Sequence, residues 1–214
     1  MQAIVEETKR RVIELLYEQH AVKINLEEGF TLKGGTKSPV FVDLGVLVRN
    51  PDTRGDIASA FFILLATNHD FDGVVGVVSG GISWASNIAN SRVLPLICVH
   101  GQPKDYGLYN QIEGGLPMDG IRVLIMDDMI TTGNNVLNVV SALRKGEDGK
   151  TAQVVGICTV FDWDFPAVNQ KFYEAGVKKI SLTTCQEVLD YGFENNLLPE
   201  DAKPAIEAFR SQYC

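Results

Sequence analysis

Paired cysteines are missing from this sequence. Its four cysteines, Cys98, Cys158, Cys185 and Cys214, are widely spaced and form no C-x-x-C element, so neither a zinc site nor a disulfide framework is indicated. Cys98 and Cys158 fall in apolar runs and read as buried free thiols. No basic stripe offsets the net charge of −8, which argues against a nucleic-acid surface. An anionic ligand then needs local help from Lys, Arg or a metal ion. No uninterrupted apolar run reaches the roughly 18 residues of a membrane span, and the opening Met1-Gln2-Ala3-Ile4-Val5-Glu6-Glu7 is too acidic for a signal peptide. A cytoplasmic protein is expected. A dinucleotide-binding G-x-G-x-x-G is also lacking, because Ser79-Gly80-Gly81 is too short to serve as one. Internal repeats and low-complexity tracts do not stand out.

What is present is ordinary for a globular chain of 214 residues: 45% hydrophobic and 21% charged, enough for one domain over 1–214. Residues 3–18 fit an amphipathic helix, Val22–Asn25 and Phe30–Lys33 are short and β-like, and Pro51 and Asp52 open a helix reaching about Thr67. From Phe71 buried strands and helices alternate. The strands fall at Gly73–Val78, Leu94–Val99, Val123–Met126, Gln153–Phe161 and Lys179–Thr183, with helices over Ile82–Ser91, from Val136, and over Pro166–Ala175. That alternation predicts an α/β fold, a parallel sheet flanked by helices. Segments 1–45 and 185–214 fit the pattern poorly and read as a hood over a core of 46–184.

In such sheets ligands sit beyond the carboxyl ends of the strands. Three ends are chemically unusual: Ser79-Gly80-Gly81, the polar loop after Val99, and Asp127-Asp128 with the loop that follows. They are expected to share one crevice. The strand Val123-Leu124-Ile125-Met126 runs into Asp127-Asp128-Met129-Ile130-Thr131-Thr132-Gly133, then Asn134 and Asn135 and a helix. Unsatisfied N–H groups at that helix start, two Thr hydroxyls and a glycine can cradle a phosphate. The adjacent carboxylates can hold sugar hydroxyls or a hydrated Mg²⁺. The combination suggests a sugar phosphate.

The whole string resembles the PRPP-binding signature (PRPP, 5-phosphoribosyl 1-pyrophosphate) of type I phosphoribosyltransferases. The resemblance implies that Asp127 and Asp128 hold ribose hydroxyls, and that the loop Met129–Asn135 holds the 5′-phosphate. Two more stretches narrow it. Phe30-Thr31-Leu32-Lys33-Gly34-Gly35 with Ser38-Pro39-Val40-Phe41 is similar to the hood motif of orotate phosphoribosyltransferases, and Pro103-Lys104-Asp105-Tyr106-Gly107 with Gln111-Ile112-Glu113-Gly114 to their catalytic loop. By this resemblance Lys104 and Asp128 are the catalytic residues, and Lys104 reaches across a homodimer interface. Lys33, Phe41 and Thr131 contact the base, and Mg²⁺ arrives with PRPP, held through Asp127 or Asp128; Trp163, which the family does not carry, reads either as a ring stacked on the base or as a core aromatic at a strand end. The implied reaction joins orotate to PRPP, giving orotidine 5′-monophosphate and pyrophosphate, in pyrimidine biosynthesis.

The chain departs from that pattern in places. His100-Gly101 stands where the family carries Arg-Lys, and Trp163 follows Asp162 where an Arg binds the orotate carboxylate. Gly34 replaces a Ser, and Asn134 and Asn135 replace Ser, Thr or Ala. His100 is a candidate to replace one lost pyrophosphate cation. Lys171, Lys37 and Arg49 are candidates for the missing charge. Two alternatives therefore stay open: transfer to another base, and a regulator that binds PRPP or a nucleotide with little catalysis.

Overall fold

The computed structural model describes residues 2–32, 35–66, 70–103 and 110–213. Among them the main sheet has six strands in the order β10-β9-β8-β5-β6-β7, all parallel except for β7. Its strands are β5 (Gly73–Val78), β6 (Leu96–His100), β7 (Ile112–Glu113), β8 (Ile121–Ile130), β9 (Ala152–Asp162) and β10 (Lys179–Thr184). The helices α4 (Ile82–Arg92), α5 (Asn134–Lys145) and α6 (Pro166–Glu174) connect them. The predicted parallel sheet is present, with two additions. Strand β8 continues through both aspartates to Ile130, and the long polar loop carries the short β7.

Strand order reverses between β5 and β8. From β5 the chain winds outward to β6, then returns past β5 to β8 and winds the other way through β9 to β10. Right-handed crossovers in opposite directions place α4 and α5 on opposite faces and leave a crevice at the strand ends between them. Helix α5 turns Val136, Val139, Val140 and Leu143 inward, the stripe expected at helical spacing. Gly146, at φ 72°, ends it against the Lys150 carbonyl, which a Cβ would overlap.

The N-terminal part is more varied than a hood. Helix α1 (Gln2–Glu18) buries Val12, Ile13, Leu15 and Leu16. It is tied to α7 (Cys185–Glu194) by a 3.0 Å Lys9–Glu187 ion pair and by the Tyr17 hydroxyl, which donates to the Val188 carbonyl. With α3 (Pro51–Leu64) it lies against β10, so both helices flank the sheet. Asn50 starts α3 by accepting from the backbone N–H groups of Asp52 and Thr53, with Pro51 at the first helical position. A five-residue helix, α2 (Gly45–Arg49), precedes it. The remaining hood candidates are two antiparallel ribbons, β1 (Val22–Ile24) with β4 (Val40–Val42) and β2 (Phe30–Thr31) with β3 (Lys37–Ser38). After α7 the chain ends in α8 (Ala202–Arg210) and a 3-10 turn, Ser211–Tyr213.

Cys158 is fully buried as expected, and so is Cys185; burial pushes both thiols up to about 12. Cys98 is half-buried, and its thiol is raised by partial burial and by Glu113. No described helix is long and apolar enough to cross a membrane.

Candidate functional site

The three unusual strand ends meet. A Cβ at Gly80 would overlap the Asp128 carboxylate, and one at Gly81 would overlap the Met126 carbonyl oxygen and lie 3.0 Å from the Asp127 Cα. The turn after β5 therefore lies directly on the end of β8, at the point where strand order reverses. On its other side, a Cβ at Gly101 would overlap the Asn135 side chain, which joins the end of β6 to the start of α5. A side chain at Gly81 would meet backbone, whereas one at Gly80 or Gly101 would have to displace the end of a neighbouring side chain.

Asp127 is buried, and its Oδ1 accepts the backbone N–H of Asp128 at 2.9 Å. Asp128 is partly exposed; its Oδ1 accepts from the Met129 N–H at 2.9 Å. These local bonds fix both carboxylates at the end of β8. Beyond them Thr131 and Thr132 are partly exposed, and Gly133 takes φ 73° as the N-cap of α5. That left-handed turn aims successive N–H groups at the helix start, which is the geometry of an anion cradle. Phe172 and Val168 of α6 back directly onto Gly133.

Not every predicted residue faces this crevice. Ile130 is buried and its carbonyl accepts the Trp163 N–H at 3.0 Å, so its side chain belongs to the core. Trp163 is a correction. It is 1% exposed, stacked on Phe165 at 5.5 Å and met edge-on by Phe161 and Phe209, so no ring face is open to a base. Phe41 is half-buried against Phe30, at 5.6 Å, on the β1–β4 ribbon; no ring contact joins it to the crevice among the described residues. Lys33 and Lys104, with Asp105-Tyr106-Gly107, lie outside the described residues. His100 sits at the end of β6, but its Nε2 is 2.6 Å from Glu113 on β7. The imidazole is engaged by a carboxylate before any pyrophosphate arrives.

Sequence reading missed the closeness of Gly80 to Asp128 and of Gly101 to Asn135. Both pairs bring together residues distant in the chain, and the signal for them was only a glycine at a strand end. Beside the site, Asp162 is buried and paired with Lys179; burial pushes its carboxyl up, and the ion pair pulls it back in part.

A family model for the phosphoribosyl transferase domain matches residues 47–193. The chain belongs to the phosphoribosyltransferase family. The orotate phosphoribosyltransferase of Lactococcus lactis subsp. lactis is 30% identical over 196 residues, covering 91% of each chain. The crystal structure of orotate phosphoribosyltransferase from Aeropyrum pernix superposes with a TM-score of 0.70 at 26% identity, over 84% of this chain and 97% of that one. The UMP synthase of Leishmania donovani gives 0.77 at 24% identity; this phosphoribosyltransferase spans 42% of that longer chain and shares its fold.

Proposed function

We propose that this phosphoribosyltransferase joins orotate to PRPP, releasing pyrophosphate and giving orotidine 5′-monophosphate, in pyrimidine biosynthesis. The observation that carries the reading is the end of β8: two carboxylates held at the switch point, followed at once by a left-handed turn that opens α5. Asp127 and Asp128 take the ribose hydroxyls, and the Thr131–Asn135 turn takes the 5′-phosphate. The turn before α4 lies against Asp128, which puts the pyrophosphate on that side of the crevice. N1 of the base then attacks C1 as pyrophosphate leaves, through a transition state with oxocarbenium character. Catalysis is mainly positioning and charge stabilisation, with Lys104 as the cation over the pyrophosphate, supplied by a partner subunit of a homodimer.

The donor set suits Mg²⁺ carried by the substrate. No cluster of three His, Cys, Asp or Glu side chains able to hold a metal occurs among the described residues. Mg²⁺ requires few protein ligands when phosphates supply the rest. Asp127 and Asp128 would hold it together with the substrate, and when bound it neutralises charge on the departing pyrophosphate.

Pyrophosphate release from Mg-PRPP with orotate, uracil, hypoxanthine and adenine tests the reading, alongside calorimetry of PRPP alone. Turnover with orotate only is expected. The burial of Trp163 and the His100–Glu113 pair favour the second reading, a PRPP-binding regulator, and binding without turnover of any base would establish it. Asp128→Asn is expected to weaken PRPP binding about tenfold by calorimetry; unchanged affinity would remove Asp128 from the site. Gly101→Lys, which restores a family cation, displaces Asn135 and is expected to weaken PRPP binding about threefold. Adding Asn135→Ser recovers the loss, a coupling of about 0.6 kcal/mol in a double-mutant cycle.

A further inference from the structure

The loop read above as the 5′-phosphate cradle has a cation behind it that its own sequence does not contain. Helix α6 packs onto Gly133 through Val168 and Phe172. Lys171, one residue before Phe172, therefore emerges beside the loop. Its Nζ donates to the Thr132 carbonyl at 3.3 Å and to the Asn134 Oδ1 at 3.1 Å, the two residues that flank Gly133. Lys171 is exposed and has no carboxylate partner among the described residues. An ammonium group thus rests on two neutral oxygens at the rim of an anion cradle, in a protein whose net charge is −8. Asn134 stands where the family pattern has Ser, Thr or Ala. Its side chain accepts from Lys171, so this departure replaces a hydroxyl with a bracket for a cation.

We propose that Lys171 is a positioning residue that sets affinity for the 5′-phosphate of PRPP, by bracing the Thr132–Asn134 turn and supplying positive charge beside it. The proposal rests on the phosphoribosyl reading of the site. It assigns Asn134 to Lys171 rather than to the phosphate. Because the charge lies beside the 5′-phosphate end only, its effect discriminates between parts of the substrate. A group that merely held α6 in place would not discriminate.

Lys171→Met keeps the aliphatic stem and removes the charge. By calorimetry it is expected to weaken PRPP and ribose 5-phosphate by about tenfold each, leave inorganic pyrophosphate unchanged, and leave kcat within about twofold. Lys171→Arg is expected to stay within about threefold of wild type, and raised salt to narrow the gap between wild type and Lys171→Met. Asn134→Ala, which removes the bracket and leaves the cation, gives a smaller loss in the same direction and serves if Lys171→Met folds poorly. Unchanged ribose 5-phosphate affinity in Lys171→Met and Asn134→Ala overturns the proposal, as does an equal loss for pyrophosphate. Wild-type protein that binds neither PRPP nor ribose 5-phosphate would instead overturn the reading beneath it.

Discussion

Gly80→Ala is expected to lower kcat/KM for PRPP by about two orders of magnitude or more while moving Tm by no more than a few degrees. The added methyl overlaps the Asp128 Cγ and would lie 2.6 Å from its Oδ1. Those atoms are the end of a rotatable side chain, so the fold yields at little cost and the carboxylate leaves its place. Two charge-assisted hydrogen bonds to ribose hydroxyls, at roughly 1.5–3 kcal/mol each, account for a loss of that size. Gly81→Ala makes the contrast. Its methyl meets the Met126 carbonyl oxygen, the Val77 nitrogen at 2.8 Å and the Asp127 Cα at 3.0 Å, all backbone of β5 and β8. Backbone in the centre of a sheet cannot rotate away, so this variant is expected to lose folded protein. Thermal melts beside PRPP titrations separate the two; wild-type PRPP affinity in Gly80→Ala would mean that Asp128 does not touch the ligand.

The unit built on β8 was legible because local signals agree there: an apolar run, an acidic pair, a small-residue turn and a helical stripe occur in chain order. β5 and α6 were also legible, the first from its β-branched run and the second from Pro166 at its first turn. The five-residue α2 and the two-residue β7 were not. Each is too short to display a period, and β7 exists because it pairs with β6. The capping box of Thr184 and Glu187 at α7 also passed unread, although its spacing is a sequence signal.

The departures from the family pattern change meaning once placed. Gly101 and Asn135 read as separate losses of a cation and a hydroxyl, yet they touch, and the Asn135 side chain fills the space a side chain at 101 would need. His100 read as a replacement cation, and Glu113 across the β6–β7 pair engages it. Sequence order separates these partners by more than ten residues in each case, so only the fold could reveal them. On the reading proposed above, positive charge lost at the β6 end is met on the α6 side, where Lys171 lies.

Trp163→Arg, which restores the family residue, is expected to abolish folding rather than raise activity. Strand β9 is buried on both faces toward its end, so its apolar run carried no alternation from which the direction of Trp163 could be read. The ring is 1% exposed, within 5.7 Å of Phe161, Phe165 and Phe209, centroid to centroid. Removing a buried Trp from such a cluster costs about 3–5 kcal/mol, and an unpaired buried charge adds several more. Asp162 offers no ready partner, because it already binds Lys179. The sum approaches the whole stability of a domain, about 5–15 kcal/mol. Trp163→Phe keeps most of the packing and removes the indole N–H, which has no hydrogen-bond partner among the described residues. It is expected to cost only about 1–2 kcal/mol and to leave kcat/KM for orotate within about threefold. Thermal melts and steady-state kinetics on both variants check this. A folded Trp163→Arg protein with improved orotate turnover would place residue 163 at the base after all, whereas the expected pair of results would assign recognition of the orotate carboxylate to other groups.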